Sequence, residues 1–297
     1  MLLRMISALL ASAFVLPVRG ADAQPNVPDV SGVWAHPFLG FESPVSGLGP
    51  VRNKSRLPSG QSNNGEMVGD YTNPVLKPAA AEAVKKLGEI SLSGHAFPDP
   101  DNQCLQNPVP YIFWNFQARI LQQKDKVTII YQHDDDYREV RLNQPHPAKV
   151  IPSVHGDSVG HYEGDTLVID TTGIKLGPYR MIDRYGTPYT ERLHVVERYR
   201  LLDNDAAKAA LERGGKEWAG LGARVGPNFR GSGLQLEFTV EDPGVFTMPW
   251  KGIITYTADS NTAWEERICA ENVEHEYSFH AYSDPNARIP TADKPDF

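Results

Sequence analysis

Hydrophobic and polar residues alternate with a period of two along most of the chain from residue 114 to about residue 280. This alternation predicts β-strands, because successive side chains of a strand point to opposite faces of a sheet. Turn sequences such as QKDK, NQPHP and ADSNT separate most of the stretches, which predicts a meander of antiparallel strands. The predicted strands read WNFQARILQQ, KVTIIYQHD, YREVRLN, DSVGHYE, TLVIDTT, ERLHVVERYRLL, LQLEFTVED, WKGIITYTA and WEERICAEN.

A sheet of this many strands has exposed edges unless it closes on itself or is covered. We therefore predict a mainly β fold, in which residues 101–281 form an antiparallel up-and-down barrel or a curved half-barrel. Residues 24–100 begin with a stretch that lacks the alternation, and they are predicted to form an irregular arm and a helix packed on the barrel. Residues 282–297 are predicted to form a C-terminal tail.

Two segments have a helical pattern instead. Residues 77–90 place Ala80, Val84 and Leu87 on one face, which predicts an amphipathic helix within the arm. Residues 204–221 are rich in helix-forming residues and predict a second peripheral helix between two strands.

Residues 1–23 have the features of an export signal. Arg4 supplies positive charge, an apolar run follows it, and the small residues of ADAQ fit a cleavage site after Ala23. The run is shorter than the roughly 20 residues that a spanning helix needs, so we expect cleavage and no membrane insertion afterwards, with a retained anchor as the alternative. This pattern predicts a periplasmic or secreted bacterial protein.

The charge of the chain argues against a nucleic-acid partner. The net charge is −8, and no run of lysine and arginine offsets it. No glycine-rich loop follows a predicted strand and opens a helix, so we predict no cofactor. The expected partner is a small molecule, and the sequence does not indicate the oligomeric state.

The chain has two cysteines, Cys104 and Cys269, near opposite ends of the β-rich region. Export to an oxidising compartment lets an even pair close, so we predict a disulfide between them. Two separate buried thiols are the alternative.

Strand alternation assigns individual side chains to the two faces of the barrel. It places Glu197, Glu266 and His133 on inward faces that are otherwise apolar or aromatic. The other residues predicted to face inward are Val127, Ile129, Tyr131, Leu193, Val195, Tyr199, Leu201, Leu234, Leu236, Phe238, Val240, Trp264, Ile268 and Ala270.

The stretch GHYEGDTLVIDTTG reads as a β-hairpin with a charged residue, Asp170, in an otherwise apolar strand. A two-residue loop that includes Gly164 places His161 on the same face as Asp170, and a three-residue loop reverses this. The opposite face carries Leu167 and Ile169 and is more apolar. The direction of Asp170 is therefore left open.

If Asp170 faces inward, the barrel interior holds acidic, histidine and tyrosine side chains together. Buried carboxylates are costly unless paired or protonated, and burial raises their pKa toward neutrality, as general acid–base catalysis requires. We therefore predict a cofactor-independent acid–base enzyme of the lyase, hydratase or isomerase type, acting on a small, partly apolar metabolite in a barrel cavity. The candidate catalytic residues are Asp170, Glu197, His133 and His161, and the candidate ligand-binding residues are Tyr131, Tyr199, Tyr256, Trp250, Trp264 and Glu266.

Two alternatives stay open beside this hypothesis. The first is that Glu197 and Glu266 form structural ion pairs with Arg138, Arg141 or Arg267. The second is a non-catalytic binding protein for a small lipophilic or aromatic ligand, with Asp170 outside and Glu197 locked to an arginine.

No metal site is predicted, because no H-x-H occurs and the H-x-x-E of His194 and Glu197 straddles opposite faces of a strand. Asp134 to Asp136 read most simply as a solvated turn, with a calcium site as the minor alternative.

Two resemblances to known families add to this interpretation. PDVSGVW (28–34) resembles the opening of lipocalins, in which Gly-x-Trp places an indole across the closed end of a barrel, and this implies a lipocalin-like barrel. Roughly the last two thirds of the chain resemble a large, largely uncharacterised family of exported bacterial β-rich proteins. That resemblance implies one structural unit and transfers no activity. Its segments are EGDTLVIDTTG (163–173), LHVVERYRL (193–201), TVEDPGVFTMPW (239–250) and ERICAEN (266–272).

Overall fold

Nine strands close into a barrel in the computed structural model of the chain. The structure describes residues 27–36, 40–95, 99–101, 103–114, 117–177, 179–218, 231–258, 264 and 268–269. The strands are β1 (Gly32–Ala35), β2 (Gln117–Gln122), β3 (Lys126–Tyr131), β4 (Tyr137–Leu142), β5 (Asp157–Glu163), β6 (Thr166–Thr172), β7 (His194–Leu202), β8 (Gly233–Glu241) and β9 (Trp250–Ala258). The predicted mainly β barrel is confirmed. The predicted signal at residues 1–23, the tail at 282–297 and most of the stretch WEERICAEN lie outside the described residues.

The strand order around the barrel follows the order along the chain, and β1 pairs with both β2 and β9 to close it. Every neighbouring pair is antiparallel except β4 and β5, which run parallel with Val140 opposite Ser158. The expectation of antiparallel pairing throughout is therefore wrong at this one place. Parallel neighbours need a connection of about a dozen residues or more, and residues 143–156 supply it.

The first barrel strand lies within the segment that the pattern predicts as an arm. Four residues are too few to show a period, so the alternation does not reveal β1. Its Trp34 is buried, and its Nε1 donates to the Val30 carbonyl at 2.9 Å. A later part of the arm pairs with β9, where Glu42 and Ile253 exchange backbone hydrogen bonds.

Both predicted helices form on the outside of the barrel. Helix α1 (Pro78–Leu92) buries Ala80, Val84 and Leu87, as its pattern predicts. Helix α2 (Asn204–Glu217) begins after Asp203, whose side chain accepts from the Ala206 backbone N–H at 2.8 Å and so caps the helix.

Helix α2 covers the outer face at the end of β7. Leu202 faces outward and is buried against Ala207 and Ala210 of the helix. Leu201, predicted to face inward, is 38% exposed. Leu201 stands opposite the buried Leu234, so it lies on the predicted face and only its burial differs from the expectation.

The centre of the barrel is a packed core. The four residues predicted to face inward from β8, namely Leu234, Leu236, Phe238 and Val240, are all fully buried. Phe238 meets the rings of Phe113 and Trp250 edge to face. The space bounded by Trp34, Tyr131, Tyr199, Tyr256 and their neighbours leaves no room for a water molecule.

In the part of the chain that the structure describes, neither helix has the length and apolar character needed to cross a lipid bilayer.

Candidate functional site

Glu197 lies inside the barrel, where alternation along β7 predicts it. Arg138 of β4 donates to both of its carboxylate oxygens, Nη1 to Oε1 and Nη2 to Oε2, each at 2.6 Å. Tyr199 donates its hydroxyl to Oε2 at 3.0 Å, and the Arg138 guanidinium lies 5.5 Å from the centre of the Phe113 ring. Glu197 is thus paired with an arginine, as in the alternative that the sequence left open.

This interior ion pair leaves little freedom for proton exchange. Burial opposes the charge of Arg138, but the Glu197 carboxylate raises the pKa of the guanidinium well above its ordinary value. Burial also raises the pKa of the neighbouring Tyr131 to about 12 and that of Tyr199 well above its ordinary value. Near neutral pH the two hydroxyls therefore keep their protons and Arg138 keeps its charge.

Asp170 lies on the outer face of the barrel. The hairpin turns through the two residues Gly164 and Asp165, so that His161 stands opposite Val168 and shares its face with Asp170. Leu167 and Ile169 on the other face of β6 are fully buried. Of the two directions left open for Asp170 and His161, the structure has the outward one, because the more apolar face of β6 occupies the core.

Asp170 belongs to a row of charged side chains across the outer face. His146 and His194 each bring Nε2 to 3.0 Å from the same Asp170 oxygen, Oδ1. The Nδ1 atom of His146 lies 2.6 Å from Asp157 Oδ2, and Asp157 also accepts from both terminal nitrogens of Arg141. We call the residues Asp157, His146, Asp170 and His194 the outer histidine chain.

Within the outer histidine chain, Asp170 and His194 shift each other's pKa. The hydrogen bond from His194 holds the pKa of Asp170 below its ordinary value although burial opposes this, and His146 contributes in the same direction. The same contact with Asp170 raises the pKa of His194. His161, in contrast, is exposed and lies 3.0 Å from the exposed Glu163 at the hairpin end.

His133 is buried but lies just beyond β3, away from the interior ion pair. Its Nε2 is 2.9 Å from Asp101 Oδ1 and 3.3 Å from Asp134 Oδ2. Burial opposes ionisation of Asp101, but the hydrogen bond from His133 holds the pKa of that carboxyl below its ordinary value. The inward prediction for His133 is right about burial and wrong about its neighbours.

Each of the three aspartates after His133 accepts a hydrogen bond from a different segment of the chain. Asp134 accepts from the Cys269 backbone N–H at 2.7 Å, and Asp135 accepts from the indole of Trp264 at 3.0 Å. Asp136 is buried and accepts from Gln106 at 2.7 Å. The predicted turn is present at Asp134 and Asp135, which are half-buried, but Asp136 is buried and not solvated.

The predicted disulfide joins Cys104 to Cys269, with a Cα–Cα distance of 5.3 Å. His133, Asp134 and Cys269 bring one potential metal-ligating atom each within 4.8 Å of one another. The Cys269 sulfur is already bonded to Cys104, however, and is therefore not a thiolate ligand.

A cleft of about 360 Å³ opens beside the disulfide, and we call it the disulfide cleft. Its described lining comes from three separate parts of the chain, around residues 104–106, 154 and 175–177, to which Pro100, Pro108, Tyr179 and Tyr189 add. Its apolar wall comprises Pro100, Leu105, Pro108, Val154 and Leu176. Polar groups come from Gln106, Tyr179, Tyr189 and Lys175, the one charged residue among the described lining.

Hydrogen bonds fix this wall to the barrel. Tyr189 donates its hydroxyl to the Lys175 carbonyl at 2.7 Å, and the Lys175 backbone N–H donates to the Ser153 carbonyl at 2.7 Å. The Gln106 side chain is held by the buried Asp136. Sequence reasoning missed the cleft because its three segments have no periodicity and meet only in the folded chain.

The other predicted ligand-binding residues are dispersed. Tyr256 donates to the Phe113 carbonyl at 2.8 Å inside the barrel, and Trp250 is buried between Phe238 and Phe246. Trp264 lies on the outside, with the guanidinium of Arg119 over its ring at 4.7 Å. The predicted residue Glu266 lies outside the described residues.

Comparison of the chain with protein-family models, with curated proteins and with solved structures finds no significant match.

Proposed function

We propose that the protein binds a small, partly apolar molecule in the disulfide cleft. The single observation that carries the proposal is the cleft itself, about 360 Å³ in volume and lined by apolar side chains with a few polar groups. Ligand sites of drug-sized molecules have volumes of about 300 to 1,000 Å³ and this kind of lining.

The lining indicates the kind of ligand. Prolines and leucines offer an apolar wall, the rings of Tyr179 and Tyr189 favour a flat or cyclic molecule, and Lys175 favours a negatively charged group. We therefore propose a ring-containing small acid or phenol as the ligand class.

The interior ion pair supports binding over chemistry inside the barrel. Glu197 has both oxygens occupied by Arg138, and the space beside Tyr131 and Tyr199 is too small for water. A substrate there would have to displace packed core side chains, which costs free energy.

A second proposal, the cofactor-independent acid–base enzyme, is favoured by a histidine–aspartate pair next to the cleft wall. His155, next to Val154 in the chain, brings Nε2 to 3.6 Å from the buried Asp136 Oδ2. Asp136 is in turn held by Gln106 of the cleft. At 3.6 Å the two atoms are too far apart for a hydrogen bond, but a histidine beside a carboxylate is the pairing that general-base catalysis uses, and such contacts often shorten only when substrate binds.

Export to an oxidising bacterial compartment is part of the same proposal. The Cys104–Cys269 disulfide supports it, because such bonds persist mainly outside the cytosol.

Capture of the ligand from a host extract tests the binding proposal. The chain from Gln24 would be incubated with extract of its own host, recovered and denatured, and the released compounds identified by untargeted mass spectrometry. We expect about one retained molecule per protein, as for a single preformed site.

A cleft-filling variant locates the site. A Cβ atom added at Gly177 meets nothing within 4 Å, so Gly177→Phe is the variant chosen to occupy open space at the cleft. A Cβ atom added at Gly215 in α2 likewise meets nothing within 4 Å, which makes Gly215→Phe the matched control. We expect Gly177→Phe to lose the ligand and Gly215→Phe to keep it. Equal retention by both variants would refute binding in the cleft.

Turnover separates the two proposals. Consumption of one compound far beyond the amount of protein, abolished in His155→Gln while capture persists, would establish the enzyme. Capture of an unchanged compound by both proteins would establish the binding protein.

A further inference from the structure

The connection between β4 and β5 has few contacts with the rest of the molecule. Its ends are fixed by the Asn143 N–H to the Gly160 carbonyl at 2.7 Å and by the Ser153 N–H to the Gly173 carbonyl at 3.2 Å. Between them, all of residues 144–152 are exposed except the half-buried His146 and Val150.

His146 provides the hydrogen bonds of this segment. Among the described residues, residues 144–152 make no hydrogen bond to the rest of the protein other than those of the His146 ring. The ring bridges two strands, with Nδ1 2.6 Å from Asp157 of β5 and Nε2 3.0 Å from Asp170 of β6. Pro145 and Pro147 flank it and restrict the backbone, which lowers the entropy lost when the ring docks.

Both contacts together require a protonated ring. A neutral imidazole carries one N–H and one acceptor nitrogen, so it can donate to only one of the two carboxylates. An imidazolium donates to both. Neutral His146 therefore loses one of the two hydrogen bonds that hold the segment.

The charges around the ring come from every strand beneath it. Asp157 of β5 pairs with Arg141 of β4, Asp170 of β6 also receives His194 of β7, and Glu241 of β8 lies 3.7 Å from the other nitrogen of His194. Three carboxylates thus face one arginine and two histidines. The hydrogen bond with Asp170 raises the pKa of His194, the other histidine of the group.

We propose that His146 is a pH-sensitive latch, which holds residues 144–152 against β5 and β6 when its ring is protonated and releases them when the ring is neutral. The same connection continues into Ser153 and Val154. Ser153 accepts a hydrogen bond from the Lys175 N–H of the wall of the disulfide cleft, and Val154 is part of that wall. Release therefore loosens one wall of the cleft, a consequence that rests on the proposed function. The latch itself does not.

Limited proteolysis of the full mature chain tests the latch without a ligand. Lys149 lies within the segment and is exposed, and trypsin needs the surrounding chain to be released before it can cut there. The rate of cleavage after Lys149 would be measured by mass spectrometry at about pH 6 and pH 8.5, on either side of the range in which histidine loses its charge. Division by the rate for a free peptide of residues 144–153 at each pH removes the pH dependence of trypsin.

We expect this ratio to rise about fivefold or more from the lower to the higher pH in the wild type, because cleavage follows the population of the open form. In His146→Gln the ratio should be high at both pH values. His161→Gln is the matched control, since His161 is an exposed histidine on the same outer face paired with Glu163, and it should behave as the wild type.

A wild-type ratio that does not change with pH would overturn the latch, as would a His146→Gln variant as resistant as the wild type at the lower pH. These results would leave the cleft proposal intact, because the assay contains no ligand. Failure to capture a ligand would likewise leave the latch intact.

Discussion

Glu197 and Asp170 lie on neighbouring strands almost side by side, with Ile169 opposite Glu197 and Asp170 opposite Val196, but on opposite faces of the barrel. Glu197 is fully buried and paired with a guanidinium, whereas 40% of the Asp170 side chain is exposed and its partners are two histidines. The inward carboxylate therefore has a partner that is always charged. The partners of the outward carboxylate are histidines, the residue type whose charge depends on pH near neutrality.

The largest expected effect is that of Glu197→Gln. Arg138 would keep its charge in the core but lose its counter-charge, and breaking a buried pair in this way costs about 3 to 5 kcal/mol. Urea denaturation followed by circular dichroism would measure the loss in the free energy of unfolding. A loss below about 1 kcal/mol, the range of exposed pairs, would show that the pair is not a structural element of the core.

The double variant Arg138→Met, Glu197→Leu sharpens this result. Removing both charges together leaves no unpaired group, and replacement of buried ion pairs by apolar residues is often neutral or even stabilising. We expect the double variant to be more stable than Glu197→Gln by about 2 kcal/mol or more in the same urea assay. A double variant as unstable as the single one would mean that the fold needs the charges themselves.

Asp170→Asn should have a smaller effect. Its two histidine contacts are half-exposed, so solvent screening keeps the loss near or below about 1 kcal/mol. Urea denaturation at about pH 6, below the raised pKa of His194, would measure it. Glu163→Gln, which removes an exposed carboxylate of the same hairpin, is the control and should change the midpoint less. A loss as large as that of Glu197→Gln would contradict the distinction between the two faces.

The smallest expected effect is the pH dependence of the stability that is lost in Asp170→Asn. The raised pKa of His194 means that its contact stabilises fully below about pH 6.5 and loses this effect as the pH rises through the raised value. The lowered pKa of Asp170 means that its contribution is present above about pH 4 and is lost as the pH falls through the lowered value. The stability difference between wild type and Asp170→Asn should therefore be largest between about pH 4 and 6.5.

Glu197→Gln provides the contrast in the same series of urea titrations. Arg138 stays charged throughout, so the loss in this variant should be the same at about pH 6 and pH 8.5. Equal pH profiles for the two variants would contradict the account of both carboxylates.

Strand periodicity predicted much about the barrel faces that carry Glu197 and Asp170, and little about the disulfide cleft. Alternation along β7 placed Glu197 inside, because one residue of shift would have exposed Val195 and Tyr199. The direction of Asp170 depended on whether the hairpin loop had two or three residues, which the letters around Gly164 did not decide. The disulfide was predictable because the chain has two cysteines and its N-terminal pattern predicts export to an oxidising compartment.

The remaining features depend on contacts that no local pattern contains. The partners of Asp134 and Asp136 are Cys269 and Gln106, which are distant in sequence. The parallel pairing of β4 and β5 follows from a connection whose path is not encoded in a period. The disulfide cleft depends on contacts between distant residues and on the path of this connection, so the sequence pattern did not predict its residues.

The most direct test of the central claim is a crystal structure of the protein with the compound that it captures. The account predicts density for that compound in the disulfide cleft, against the rings of Tyr179 and Tyr189, with the Arg138–Glu197 pair unchanged in the barrel. Density inside the barrel, among Trp34, Tyr131 and Tyr256, would contradict it.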